Sequence, residues 1–459
     1  MLKKKLSRRD FLRTAAFAGA GLAVTLTGCQ SPAPVEPVAD ADTITSPADV
    51  TGTLRVLILQ GPPVEPVNEF LATASAARYP NVNVNFEYVS GDHAEGVYTQ
   101  AAGGTLADVM FSADLWVVPF AQNGVTLDLK PLAEADDEFD IDDIFPAMLG
   151  LGMFGGEVHM FPSALDVVTM YYNKTLFEQT SAGVPTEDWT WDDFIEAGKE
   201  ITALETDGAG NPMYYAMSNQ TWNWWATVYP WIVGYGGDIK TDDGATSTWS
   251  EGKALEGLKA YTELWTEHNI AQPLGLDVGG NAFHLGRAAT WFHIPGQRTG
   301  NRENIEDRFE WDAQVMPKMP DGKHRTGMGA WGLAVNASTQ LQDVAYFYVK
   351  TMVSPQLQEL LARREMGVPL VRSVAEAGAW MDGLPTPPEN VMAFVKGADD
   401  AVLPTKGRDY PGECGSFYAG LVNQSYVTAL ETVIRGEADV EQAFTEADQQ
   451  IQRCLDENL

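Results

Sequence analysis

Chemistry first suggests itself at Asp166, an acid in the middle of a hydrophobic run. The stretch from 157 to 177 reads EVHMFPSALDVVTMYYNKTLF and follows a Gly155-Gly156 turn. It breaks at Pro162, becomes β-rich from Val167 to Tyr172 and ends at Asn173-Lys174. A carboxylate in a buried strand is costly unless it is partnered or used. An acid at a strand end can also cap a neighbouring loop, and spacing alone leaves the two readings level. A second set, Ser112, Asp114 and Trp116, follows the apolar run that begins at Asp108-Val109. Open α/β sheets place ligands beyond the carboxyl ends of their strands. Trp116 fits core packing as well as it fits a ligand.

A third set is aromatic. Trp222, Trp224, Trp225, Tyr229, Trp231 and Tyr235 crowd residues 219–235. Helical spacing puts Trp224 or Trp225 on one face with Val228, Trp231 and Tyr235, which reads as core. Trp222 and Trp224, near the start of that helix, are the better candidates for a cleft. Flat apolar faces with polar edges suit sugar rings, although for the stretch as a whole packing outweighs binding. Three further residues are candidates: His293 and Gln297 after an apolar strand, and Trp331 inside the Gly-rich run 327–332. His293 serves equally as a satisfied core residue.

The elements that must hold these residues alternate. A strand at 54–59 precedes a helix at 67–78, which Tyr79-Pro80-Asn81 stops before a strand at 82–89. Strand, helix and strand joined by short loops argue for an α/β lobe with parallel pairing. Thr190 is a good N-cap, and Asp193 three residues on can complete a capping box. Trp191, Phe194, Ile195, Gly198, Ile201 and Leu204 then form one apolar face. A long helix is expected over 252–268. An amphipathic helical end is expected over 417–455, opened by Phe417 and Tyr418.

Before the first strand the chain is of another kind. Lys3-Lys4-Lys5 is followed by Ser7-Arg8-Arg9-Asp10-Phe11-Leu12, which resembles a twin-arginine export signal. The apolar run 15–26 is too short to span a bilayer. Leu26-Thr27-Gly28-Cys29 resembles a lipobox, with Cys29 the lipidated residue. Residues 1–28 thus read as an export and lipoprotein signal, whether by the twin-arginine or the general route. Residues 29–50, rich in Pro, Ala and acids, read as a flexible tether. Removing 1–28, with six Lys/Arg and one acid, takes the net charge from −33 to −38. Such a surface repels nucleic acid and anionic headgroups. Cys414 and Cys454 lie beyond the signal, outside a reducing cytosol, so a disulfide can join the last helix to the Cys414 loop. The sequence does not give their separation. The six His are scattered and no paired-Cys spacing for zinc occurs.

Several segments resemble the bacterial extracellular solute-binding proteins of family 1, the maltose-binding-like receptors of ABC importers. They are Pro162, Asp166 and YYNKTLF; Asp108-Val109, with Ala107 where the family usually has Pro; Gly124 to Leu129; Thr190-Trp191-Asp192 with Phe194; Gly236-Gly237; Phe283 to Ala289; and Gly367-Val368-Pro369. They run in the family's order over most of 52–455. The resemblance implies an α/β type II periplasmic-binding-protein-like fold with two lobes joined by three hinge crossovers. Lobe I would be 51–163 and 332–395, and lobe II 164–331 and 396–459. The crossovers are expected near Asp166, in the 327–335 run and in the Pro/Gly-rich region 384–410.

The resemblance also implies a function. A small ligand, a sugar by the weight of aromatics, would bridge the lobes and hold them closed. The loaded monomer, anchored through Cys29 on the outer face of the cell membrane, would deliver it to permease subunits with no cofactor and no catalysis. Trp116, Trp222, Trp224, Trp331 and Tyr418 would stack on it, and Ser112, Asp114, Asp166, His293 and Gln297 would bond its hydroxyls. The rivals are a polyamine held by Asp114 and Asp166, a ferric ion on Tyr171 or Tyr172, and a secreted glycosidase with two acids in its cleft. Adjacent residues on a strand face opposite ways, so at most one of the two tyrosines reaches a cleft.

Overall fold

The apolar alternation of the first strand decides the first sheet. The computed structural model describes residues 46–59, 65–88, 92–218, 225–403 and 405–459. In it β1 (Gly52–Ile58) buries Leu54, Val56, Leu57 and Ile58 and pairs in parallel with β2 (Val82–Tyr88) and β3 (Val109–Ala113). The helix Glu65–Arg78 buries Val67, Leu71 and Ser75, four residues apart, which is one stripe of an amphipathic helix. After β3 the chain turns into the helix Asp114–Gln122. A hairpin of β4 (Met153–Phe154) and β5 (Glu157–Val158) closes over Gly155-Gly156, whose φ angles of 61° and 88° suit the turn of a tight hairpin. β6 (Phe161–Pro162) then joins the sheet through β13 (Trp331–Val335), which is antiparallel to both β3 and β6, giving the order β2-β1-β3-β13-β6. Gly332 makes that pairing close: a Cβ there would come 2.1 Å from the Phe161 carbonyl oxygen.

A second sheet has the order β11-β8-β10-β9. Its strands are β8 (Thr169–Asn173), β9 (Tyr215–Met217), β10 (Ala288–His293) and β11 (Trp311–Gln314). Every residue of β8 is buried, which is why Thr169–Asn173 reads as an unbroken run. The helix Trp191–Ala203 covers this sheet with Trp191, Phe194, Ala197, Gly198 and Ile201, and begins at the expected capping box of Thr190 and Asp193.

Between the sheets, β7 (Asp166–Val167) pairs antiparallel with β12 (Met328–Gly329), with Asp166 opposite Gly329. β7 carries the chain from β6 to β8, and β12 carries it from β11 back to β13. A later segment passes beside them, where the Val402 N–H donates to the Thr326 carbonyl at 2.7 Å.

The C-terminal end differs from the sequence reading. It forms two helices, Gly420–Ile434 and Val440–Asn458, with Gly436 at φ 72° between them. Glycine takes that backbone without strain, so the helical pattern stops there. Phe417 and Tyr418 do not open a helix. They lie in the turn before Gly420, where the Tyr418 N–H donates to the Ser416 hydroxyl at 3.1 Å. Phe417 packs on Trp249 and Tyr229. Cys414 and Cys454 are bonded, with their Cα atoms 5.8 Å apart. Among the described residues no helix is long and apolar enough to cross a membrane.

Candidate functional site

The carboxyl end of β3 meets the amino end of β13, because the two strands run in opposite directions. Ala113 lies opposite Trp331, and Ser112 opposite Gly332. Ser112 is buried and its hydroxyl has no hydrogen-bond partner. Trp331 is half-buried and stacks on Phe111, with centroids 6.1 Å apart and planes inclined by 22°. Asp114 begins the helix, and its N–H donates to the Ala330 carbonyl at 2.9 Å. Its carboxylate accepts a hydrogen bond from the Tyr418 hydroxyl. Burial raises the Asp114 carboxyl above the usual range, against the Tyr418 bond and the Arg408 charge, which lower it. Burial, and then Asp114 itself, push the Tyr418 phenol well up. Two residues predicted to hold a ligand therefore hold each other, although 304 positions separate them in sequence.

Asp166 stands on the two-stranded link between the sheets. It is buried, and its Oδ1 atom has no partner. Burial raises its carboxyl to about 7; the Arg298 charge lowers it and the Asp114 charge raises it. Arg298 follows the turn Pro295–Gln297, so half-buried Gln297 is its neighbour. Its guanidinium is buried and donates to the carbonyls of Pro295 at 3.0 Å and Gly367 at 2.9 Å. His293 ends β10 beside Trp291, with ring centroids 4.4 Å apart. Burial and nearby His284 lower its ring to about 4, so it is neutral at neutral pH, and its Nδ1 accepts from the Ile294 N–H at 3.0 Å. Trp116 lies on the helix after β3 and stacks on His93 at 5.0 Å, against a small core that includes Phe120. Trp222, Trp224 and Cys29 lie outside the described residues.

Three charged residues were not singled out in the sequence. Besides Arg298, Arg408 is buried and donates to four carbonyls: Leu151 at 2.6 Å, Gly150 at 3.1 Å, Asp114 at 3.3 Å and Met153 at 3.4 Å. These include the C-terminal carbonyls of the helix Pro146–Leu151, where a cation is favoured. The third is Glu365, which accepts from the Thr299 hydroxyl at 2.6 Å and pairs with Arg302. The partners of Arg298 and Arg408 are main-chain oxygens, all but that of Pro295 distant in sequence, and they leave no side-chain signature to read. Tyr171 donates its hydroxyl to the Ile294 carbonyl at 3.0 Å, and burial holds both its phenol and that of Tyr172 in the protonated form.

A family model described as bacterial extracellular solute-binding protein matches residues 62–359. A putative binding protein of Brucella abortus is 28% identical over 267 residues, covering 57% of this chain and 62% of that protein. The match thus spans less than two thirds of that relative's length. The erythritol/L-threitol-binding protein of Mycolicibacterium smegmatis is 23% identical over 383 residues, covering 76% of this chain and 78% of that protein. Among solved structures, the sugar-binding protein MalE of Xanthomonas citri superposes with a TM-score of 0.72 at 19% identity, covering 88% of this chain and 98% of that one. At that identity the likeness speaks for the two-lobe α/β fold alone.

Proposed function

Since the chain belongs to the bacterial extracellular solute-binding protein family, we propose that it is the receptor of an ABC importer and that it binds a carbohydrate between its two lobes. The observation that carries this reading is the placement of Ser112, Asp114, Asp166 and Trp331. They gather at the ends of the first sheet's strands and on the link to the second, and Ser112 and Asp166 keep buried polar atoms unpartnered. Hydroxyl groups of a sugar satisfy such atoms, and Trp331 offers an aromatic face beside them. Relatives that bind erythritol or L-threitol and arabinooligosaccharide support the sugar class.

The mechanism is hinge closure. Ligand touching both lobes stabilises the closed form by the contacts it makes only there. The lobes are 51–163 with 332–395, and 164–331 with 396–459. The closed monomer docks on permease subunits, and a lipid on Cys29 keeps it at the outer face of the membrane. No catalytic step belongs to this role, in keeping with relatives that are binding proteins. The protonated, bonded phenol of Tyr171 disfavours the ferric-ion reading.

The test is a thermal-shift screen of residues 50–459 against sugars, sugar alcohols, oligosaccharides and polyamines. A ligand that binds only the native state raises the melting temperature by mass action. The expected result is a rise with one carbohydrate class that Trp331→Ala abolishes. A rise with polyamines alone would move the binding role to Asp114 and Asp166 and sink the sugar reading.

A further inference from the structure

Asp166 and Arg298 carry opposite charges, feel each other's field and form no ion pair. Asp166 is 7% exposed and Arg298 1%. Asp166 Oδ1 has no partner, and neither has Arg298 Nη1. A buried acceptor and a buried donor left open on residues that both flank Gly367 are costly, and groups free to move would close on each other. These two are not free. Asp166 is fixed by the pairing of β7 with β12. Arg298 is held from two sides, with Nε on the Pro295 carbonyl and Nη2 on the Gly367 carbonyl.

Gly367 is the common wall. Asp166 Oδ1 lies 3.8 Å from where a Gly367 Cβ would be, and that Cβ would come 2.4 Å from the Cβ of Ala164. With φ at 158°, only glycine lets the backbone run this close while presenting its carbonyl to Arg298.

We propose that Arg298 is a ligand-contacting, specificity-determining residue: a hydroxyl of the bound molecule donates to Asp166 Oδ1 and accepts from Arg298 Nη1 at once. This deepens the carbohydrate reading and rests on it. The pair selects by charge as well as by shape. A hydroxyl is neutral and both donates and accepts. An ammonium group cannot accept from Arg298 and is repelled by it. A carboxylate or phosphate cannot donate to Asp166 and is repelled in turn. The subsite therefore admits neutral polyols and sugars and rejects amino sugars, polyamines, uronic acids and sugar phosphates.

The experiment is titration calorimetry at pH 8, where Asp166 is ionised. The probes are maltose, erythritol and arabinobiose, together with glucosamine, spermidine and glucuronate. Arg298→Met, Arg298→Lys, Asp166→Asn and the Asp166→Asn/Arg298→Met double variant are compared with the parent, each first checked for a native circular-dichroism spectrum. The expected result is a parent that binds a neutral probe, which either single change weakens at least tenfold. The double variant should lose little more than the worse single one, because one hydroxyl serves both residues. Arg298→Met should also gain affinity for spermidine relative to the neutral probe, and Asp166→Asn for glucuronate. These reversals are not expected of a residue that only supports the backbone. If Arg298→Met does not fold, Arg298→Lys keeps the charge and still moves the contact atom, so its weakening is read instead. Neutral-probe affinity unchanged within twofold in a folded Arg298 variant overturns this inference and leaves the receptor reading standing. A parent that binds only charged probes overturns both.

Discussion

Replacing Arg408 with methionine tests whether the closed arrangement is held by the protein as well as by its ligand. Arg408 belongs to a segment anchored on residues of the proposed second lobe: Lys406 pairs with Asp238 and Asp242, and Phe417 packs on Trp249. Its guanidinium enters the opposite side, among carbonyls at the end of the helix Pro146–Leu151. Two of the four contacts, at 2.6 Å and 3.1 Å, are within hydrogen-bond length and have a charged donor. At a net ~1.5–3 kcal/mol for each bond to a charged group, the pair favours closure by about 3–6 kcal/mol. If the lobes open as proposed, the guanidinium and the carbonyls return to water, so this preference would belong to the closed form alone. On the proposed mechanism Arg408→Met should weaken every ligand by a similar factor, roughly 100-fold at the lower bound. Small-angle scattering of the ligand-free variant should show a larger radius of gyration than the parent. Affinity unchanged for two unrelated ligands, with only the melting temperature lowered, would refute the reasoning and leave Arg408 as a packing residue.

Three further outcomes follow from geometry already described. Cys414→Ser with Cys454→Ser removes a link between positions 40 apart, worth about 4 kcal/mol in the chain-entropy account. Reductant should then lower the melting temperature of the parent by several degrees and leave the variant unmoved in the same calorimeter. Gly332→Ala places a Cβ 2.1 Å from the Phe161 carbonyl oxygen, whereas Gly329→Ala meets nothing within 4 Å. Urea unfolding should show the first losing at least ~2 kcal/mol and the second under ~1 kcal/mol, and equal losses would contradict the register of β13 against β6. Asp166 titrates at about 7 when folded, against an ordinary 3.8. The folded chain therefore binds this proton more tightly between those values. Its stabilising contribution is complete below pH 3.8 and is lost as pH rises through 7, at no more than about 1.4 kcal/mol per pH unit. The charges acting on it are Arg298 and Asp114. The difference in melting temperature between parent and Asp166→Asn should accordingly change from pH 5 to pH 8, and parallel profiles would argue against it.

What the sequence made legible is what depends on near neighbours. The capping box of Thr190 and Asp193 spans three residues and forms as the spacing requires. The Gly155-Gly156 turn and the buried run of β8 follow from local patterns too. Asp166 could be found because an acid in an apolar run contradicts its surroundings. Trp116 was harder to place. Its strand ends at Ala113 and a helix begins at Asp114, so the periodicity changes from two to 3.6 just before it and carries its ring onto His93. Arg298 and Arg408 were missed because their acceptors are main-chain carbonyls, reaching 69 positions away for Arg298 and more than 250 for Arg408. The single helix expected at the C-terminus failed at Gly436, where a positive φ interrupts an otherwise continuous amphipathic pattern.

The position of Asp166 bears on how binding could drive closure. A carboxylate on a rigid strand within one lobe would add affinity without favouring either arrangement of the lobes. Asp166 instead lies on β7, the link itself, and feels charges from both directions, Arg298 after β10 and Asp114 after β3. On the proposed mechanism the Arg298 charge supports its ionised form more when that group is near its present place than when the lobes part, while the Asp114 charge opposes ionisation. Ligand and closure then share one free energy, and a hydroxyl bonded to Asp166 favours the arrangement in which Arg298 is within reach. On the proposed reading, the buried acid that is unfavourable to the ligand-free chain is what makes closure depend on ligand.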